Sequence, residues 1–157
     1  MNLFVLHVHP VTAARMACDQ HVVKMPTETA QMLSTVVRSQ GLDVGYKPSH
    51  TGHPATKWVG ASRGNFEWAL AHGFALCDEY TLRFLGVHAA RQVLHAVKVR
   101  APELVFTQVR RTPFVQTMPE AYRGPDAVAA YRTFYLKDKS AFARWAHHRK
   151  PPAWWAP

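Results

Sequence analysis

The chain has 157 residues, 48% of them apolar and 18% charged, a composition that argues for a packed globular body and against a disordered one. Nineteen Lys and Arg against ten acidic residues give a net charge of +9, which points to a polyanionic partner: DNA, RNA or an anionic surface. No apolar run approaches the roughly 20 residues of a membrane span, and two cysteines, Cys18 and Cys77, are too few for a disulfide framework. A reducing, cytosolic setting is therefore expected, with no leader ahead of Met1.

In chain order, Met1 to Val8 is a short apolar run without helical periodicity, expected to be extended and to place the amino terminus beside core. Asn2 is not small, so Met1 is expected to remain. His9-Pro10 turns the chain, and Val11 to Cys18 reads as helix leading into the stretch from Asp19 to Arg38. That stretch has two faces. Val22, Met25, Met32 or Leu33, and Val36 form an apolar stripe at helical spacing, while His21, Lys24, Glu28, Gln31, Thr35 and Arg38 share the other side. Pattern alone reads the second face as solvated, with a Lys24–Glu28 pair worth a few tenths of a kcal/mol. Pro26 either kinks this helix or starts a second one.

Ser39 to Gly52 reads as a loop, and helix returns at Pro54 with Trp58 as its first large anchor. Ser62 or Asn65 caps the next helix, whose stripe of Phe66, Leu70, Phe74, Cys77 and Leu82 or Phe84 marks the central core element. Cys77 on it reads as inert packing. Val87 to Val99 is a further helix, Arg100 to Tyr122 a Pro-punctuated segment carrying Arg110-Arg111, and Gly124-Pro125-Asp126 opens a last long helix with Phe134 or Tyr135, Phe142 and Trp145 on its stripe. The reading is an all-α single domain, residues 1–157, of four to five helices. It has an extended N-terminal segment and a basic aromatic tail at Trp154-Trp155, folded over the body.

Two constellations could carry chemistry. Cys18 and His21, with His50 and His53, offer four N/S ligands at spacings compatible with tetrahedral zinc, but ten histidines make chance pairs common and no metal is the preferred reading. No Gly-rich phosphate loop and no nucleophile elbow is present. The second constellation is an amine beside a carboxylate in a basic setting, the requirement of an imine-forming glycosylase or lyase. Lys24 and the Met1 α-amine both qualify beside Glu28. An unperturbed α-amine has a pKa of about 7.7–8.0 and a lysine about 10.4, so the amino terminus is the better nucleophile near neutral pH.

Here the chain resembles a known family. Asp19-Gln20-His21 followed by Glu28 is similar to the run that precedes the catalytic glutamate in the pyrimidine-dimer DNA glycosylase family, whose bacteriophage member is called endonuclease V. Lys24, Glu28, Gln31, Met32 and Leu33 resemble its bacterial branch. So do His53-Pro54-Ala55 with Trp58, and Cys77-Asp78-Glu79-Tyr80 at the end of the next helix. The resemblance spans most of residues 1–84 and, loosely, Trp154-Trp155.

It implies a monomeric, all-helical enzyme without cofactor, acting on double-stranded DNA. Met1 would be the nucleophile and Glu28 the acid/base, with Schiff-base chemistry giving base release and strand nicking. Asn2, His21, Lys24, Arg63, Arg83, Arg110, Arg111, Trp154 and Trp155 would contact DNA, the cations on phosphates and the tryptophans by stacking. Two competing readings are a phage enzyme modifying thymine derivatives in DNA and a non-catalytic DNA- or RNA-binding module.

Overall fold

A computed structural model describes residues 1–156, and among them there are α-helices and short 3₁₀ turns but no strand. The helices are α1 (Pro10–Met16), α2 (Asp19–Ser39), α3 (Pro54–Ala61), α4 (Arg63–Phe84), α5 (Ala90–Arg100) and α6 (Ala127–Asp138). The count reaches six because Ala17 and Cys18 are extended, which separates α1 from α2. Met1 to Leu6 have no regular structure, yet Leu3, Val5 and Leu6 are among the most buried side chains, as an apolar run beside core requires.

The longest helix, α4, organises the packing and touches α1, α2, α3 and α5. Ser62 is its cap, accepting from the Asn65 amide at 3.1 Å, and the amides of Arg63 and Gly64 donate to the carbonyls of Gln108 and Val109, both at 2.9 Å. Its first-turn donors are thus satisfied by the loop that follows α5. The helix is buried on more sides than one stripe would require: Asn65, His72, Glu79 and Arg83 lie inside with Phe66, Trp68 and Leu76, while Leu82 is exposed. Cys77 is fully buried, and burial pushes its thiol up to about 11, so it is packing and not a nucleophile.

In α2 the stripe of Val22, Met25, Met32, Leu33 and Val36 is buried. The helix runs unbroken through Pro26, so Lys24 and Glu28 stay one turn apart on one face. Asp126 caps α6, accepting from the amides of Val128 and Ala129 at 2.8 and 3.2 Å. That helix stops at Asp138, so Phe142 and Trp145 lie beyond it and not on its stripe. The chain then turns back over the start of α2, where the Asp19 amide donates to Arg144 O at 2.9 Å and the Ala146 amide to Asp19 Oδ2 at 2.8 Å. Trp154 and Trp155 are half-buried, each packed edge-on against Tyr135 with centroids 6.2 Å apart, so the aromatic tail folds onto the body. No helix among the described residues is long and apolar enough to cross a membrane.

Candidate active site

The amino terminus and the polar face of α2 meet in a cleft of about 450 Å³. Its lining is Met1, Asn2, Phe4, Gln20, His21, Lys24, Met25 and Glu28 on one side, and Phe134, Lys139 and Phe142 from α6 and the turn after it. The Met1 α-amine lies 3.9 Å from Glu28 Oε2, which also accepts the Asn2 amide at 3.0 Å, while Lys24 Nζ is 3.4 Å from Oε1. Glu28 is therefore held from two directions, and one of its oxygens faces the amine. The Glu28 side chain is only 15% exposed, whereas that of Lys24 is 69% exposed and reaches solvent at the rim.

Local backbone chemistry puts Met1 there. Asn2 Oδ1 accepts from the Phe4 amide at 2.9 Å and Asn2 Nδ2 donates to Thr117 O at 3.3 Å, pinning the first residues in a tight turn. Within it Phe4 has φ +44°, in the left-handed region that a bulky residue enters only when its surroundings compel it. The compulsion is visible in the packing: the Phe4 ring stacks on His21 at 4.2 Å and 19°, and lies 6.2 Å from Phe134 at 12°. The Met1 thioether meets Thr56 Oγ1 of α3 at 3.9 Å. Three separate segments thus fix the position of the α-amine.

Several residues expected to touch DNA have other duties. Asn2 is buried and occupied by the turn just described. His21 lines the cleft but is buried, and desolvation, with the charges of Lys139 and Lys24, lowers its pKa to about 3, so it is a neutral imidazole and not a phosphate-binding cation. Its Nδ1 is 2.5 Å from the Tyr135 hydroxyl, which also meets Cys18 Sγ at 3.4 Å. Burial raises the Tyr135 pKa well above its usual value, so it remains a phenol.

The expected phosphate contact at Arg83 is corrected outright. Its side chain is 0% exposed and donates to Asp19 Oδ1 at 3.0 Å, to Glu79 Oε2 at 2.9 Å and to the carbonyls of Ala17 and Arg15. Arg149 reaches Glu79 from the tail at 2.6 Å. Burial pushes the Glu79 carboxyl up, but the hydrogen bonds from Arg149 and Arg83 outweigh it and hold the group below the usual range.

Arg63, Arg110, Arg111, Trp154 and Trp155 do not line the cleft. Arg63 donates to Leu104 O at 3.0 Å and lies over the Phe106 ring, while Arg110 and Arg111 are exposed on the loop seated against α4, Arg111 over Phe114 at 4.0 Å. The zinc alternative is not assembled, since among the described residues no three His, Cys, Asp or Glu side chains group as metal ligands. Cys18 and His21 are joined through Tyr135, His50 is exposed, and His53 caps α3 by accepting from the Ala55 amide at 3.1 Å.

The site residues that sequence reasoning missed are Phe4, Phe134, Lys139 and Phe142. Lys139 Nζ sits over the Phe134 ring at 4.5 Å, and the Phe142 ring stands edge-on to His21 at 5.7 Å. Nothing in the sequence spacing links Lys139 to Glu28.

An amine and a carboxylate share a small cleft with an aromatic wall and a basic rim, an arrangement suited to nucleophilic chemistry on a nucleic-acid sugar. A family model, pyrimidine dimer DNA glycosylase, matches residues 1–93 and takes in the amine, Glu28 and the whole of α2, α3 and α4. The chain belongs to that family, and its function is of the DNA glycosylase kind, with DNA as the partner. Comparison with curated proteins and with solved structures returns no match.

Proposed function

We propose that the protein is a DNA glycosylase with associated abasic-site lyase activity on damaged or modified pyrimidines, with the Met1 α-amine as nucleophile and Glu28 as acid/base. The observation that carries this reading is the 3.9 Å approach of the amine to Glu28 Oε2 inside the cleft. The neutral amine nitrogen forms a bond to C1′ as the glycosidic bond breaks, and the base leaves with that electron pair and gains a proton. Glu28 stabilises the positive charge that develops on the sugar and takes the proton released by the nitrogen. Opening of the C1′–O4′ bond, with a proton delivered to O4′, leaves an imine. Loss of a C2′ proton and departure of the 3′ phosphate then nick the strand.

The remaining cleft residues fit supporting roles. Lys24 at the rim suits a phosphate contact, and Arg110 and Arg111 add positive charge on a separate surface, so the duplex would be held without sequence being read. The protein would act as a monomer, without a cofactor, where cellular DNA is found. Glu28→Gln tests the assignment. Turnover on a thymine-dimer duplex should fall at least a hundredfold while salt-dependent DNA binding stays within a few-fold of wild type. Loss of both together would make Glu28 a structural residue and sink its catalytic role.

A further inference from the structure

The two walls of the cleft come from different parts of the chain. Met1, Lys24 and Glu28 lie within residues 1–93, the stretch that matches the family model, whereas Phe134 and Phe142 lie outside it. The amine chemistry uses neither ring. Phe142 is 37% exposed where it lines the cleft, and its position is not slack. The turn that carries it is closed by the amides of Phe142 and Ala143 donating to Lys139 O at 3.1 and 2.7 Å, and Arg144 just after it is tied to Asp19. Behind it stands an aromatic stack of His21, Phe4 and Phe134, with Phe142 edge-on to His21 at 77°. A ring fixed at its backbone, braced on one side and open to the cleft on the other is a surface for a flat partner.

We infer that Phe142 is a substrate-binding residue: a stacking platform for the nucleobase at the reacting nucleotide. This rests on the glycosylase reading above, because that reading puts a deoxyribose, and hence its base, beside Met1 and Glu28. Lys139 caps the other ring of the wall, Phe134, so Phe142 is the ring left for the base. Stacking on an aromatic side chain tolerates any base and acts only when a base is present. An abasic site, which offers the same sugar and phosphates, cannot use it. The platform therefore makes a prediction that the amine does not.

The test uses the whole protein and two duplexes of one sequence, one with a single cis–syn thymine dimer and one with an abasic site in its place. Phe142→Ala should weaken equilibrium binding of the dimer duplex at least fivefold more than binding of the abasic duplex. It should also slow base release at least tenfold more than borohydride trapping on the abasic duplex. Phe142→Trp should restore both ratios and Phe142→Leu, apolar but not planar, should not. Equal losses on the two duplexes, no loss on either, or full activity in Phe142→Leu would each overturn the platform. Failure of the wild-type protein to trap on the abasic duplex would instead refute the amine mechanism, and the binding ratio would still decide the role of Phe142.

Discussion

Glu28 faces three nitrogens, the Met1 amine, the Asn2 amide and Lys24 Nζ, and the carboxylate oxygen nearest the amine is the one that accepts the Asn2 amide. The Asn2 amide orients the carboxylate and the solvent-exposed lysine adds little to stability, as expected of a surface pair. Buried histidines tell a different story at the same scale. His72 is enclosed, stacked on Trp68 at 4.9 Å, with no hydrogen-bond partner for Nδ1 among the described residues, and burial lowers its pKa to about 3. His21 is held at about 3 as well. The unfolded chain takes up protons on both near pH 6.5 while the folded chain refuses them. Their contribution to stability is thus complete above about pH 6.5 and falls as the pH drops toward 3, by up to about 1.4 kcal/mol per pH unit for each. Thermal unfolding should show a falling Tm between pH 7 and 5, before most carboxylates titrate. His72→Phe keeps the stack, removes the unpaired nitrogen and should reduce that decline by roughly half; an unchanged decline would show that His72 is not the source.

At the scale of elements, the amphipathic face of α2 was legible because the period of its apolar residues survives Pro26, and Glu28 was legible because its spacing from Asp19 and His21 resembles a family pattern. Arg83 was misread for a physical reason. A cation in the last turn of a helix is ordinarily solvated, and only the three-dimensional arrival of Asp19 and of the tail makes this one interior. Arg83→Met would leave Asp19 and Glu79 without their central partner and should cost about 3–5 kcal/mol, read as a lower denaturation midpoint. A near-neutral effect would show that the clamp is dispensable. The wall of Phe134 and Phe142 was not legible either, since sequence periodicity extended α6 past Asp138 and assigned Phe142 to its buried stripe. The loop with Arg110 and Arg111 depends on Gly64, where a Cβ would fall 2.5 Å from the Arg111 backbone nitrogen. Gly64→Ala should therefore displace this loop and destabilise by about 1–3 kcal/mol, with faster amide exchange in residues 104–112 as the check; unchanged exchange there would contradict the seating described.

For the whole molecule, the excess of positive charge sets how it meets DNA. Binding should weaken steeply with salt, and Lys24→Ala should lower the slope of log affinity against log salt by about one phosphate contact, roughly 0.9. An unchanged slope would remove Lys24 from the phosphate-binding surface. The tail ties the C-terminal segment to α2 and α4 through Arg149 and through the hydrogen bonds at the Asp19 amide and carboxylate, so the cleft joins the family-matched stretch to a wall from beyond it. The most direct test of the central claim is borohydride trapping on an abasic-site duplex, followed by peptide mass mapping of the adduct. The mechanism predicts a single covalent adduct on the peptide that begins at Met1, abolished when the α-amine is blocked. An adduct on a lysine peptide, or one that survives the block, would contradict it.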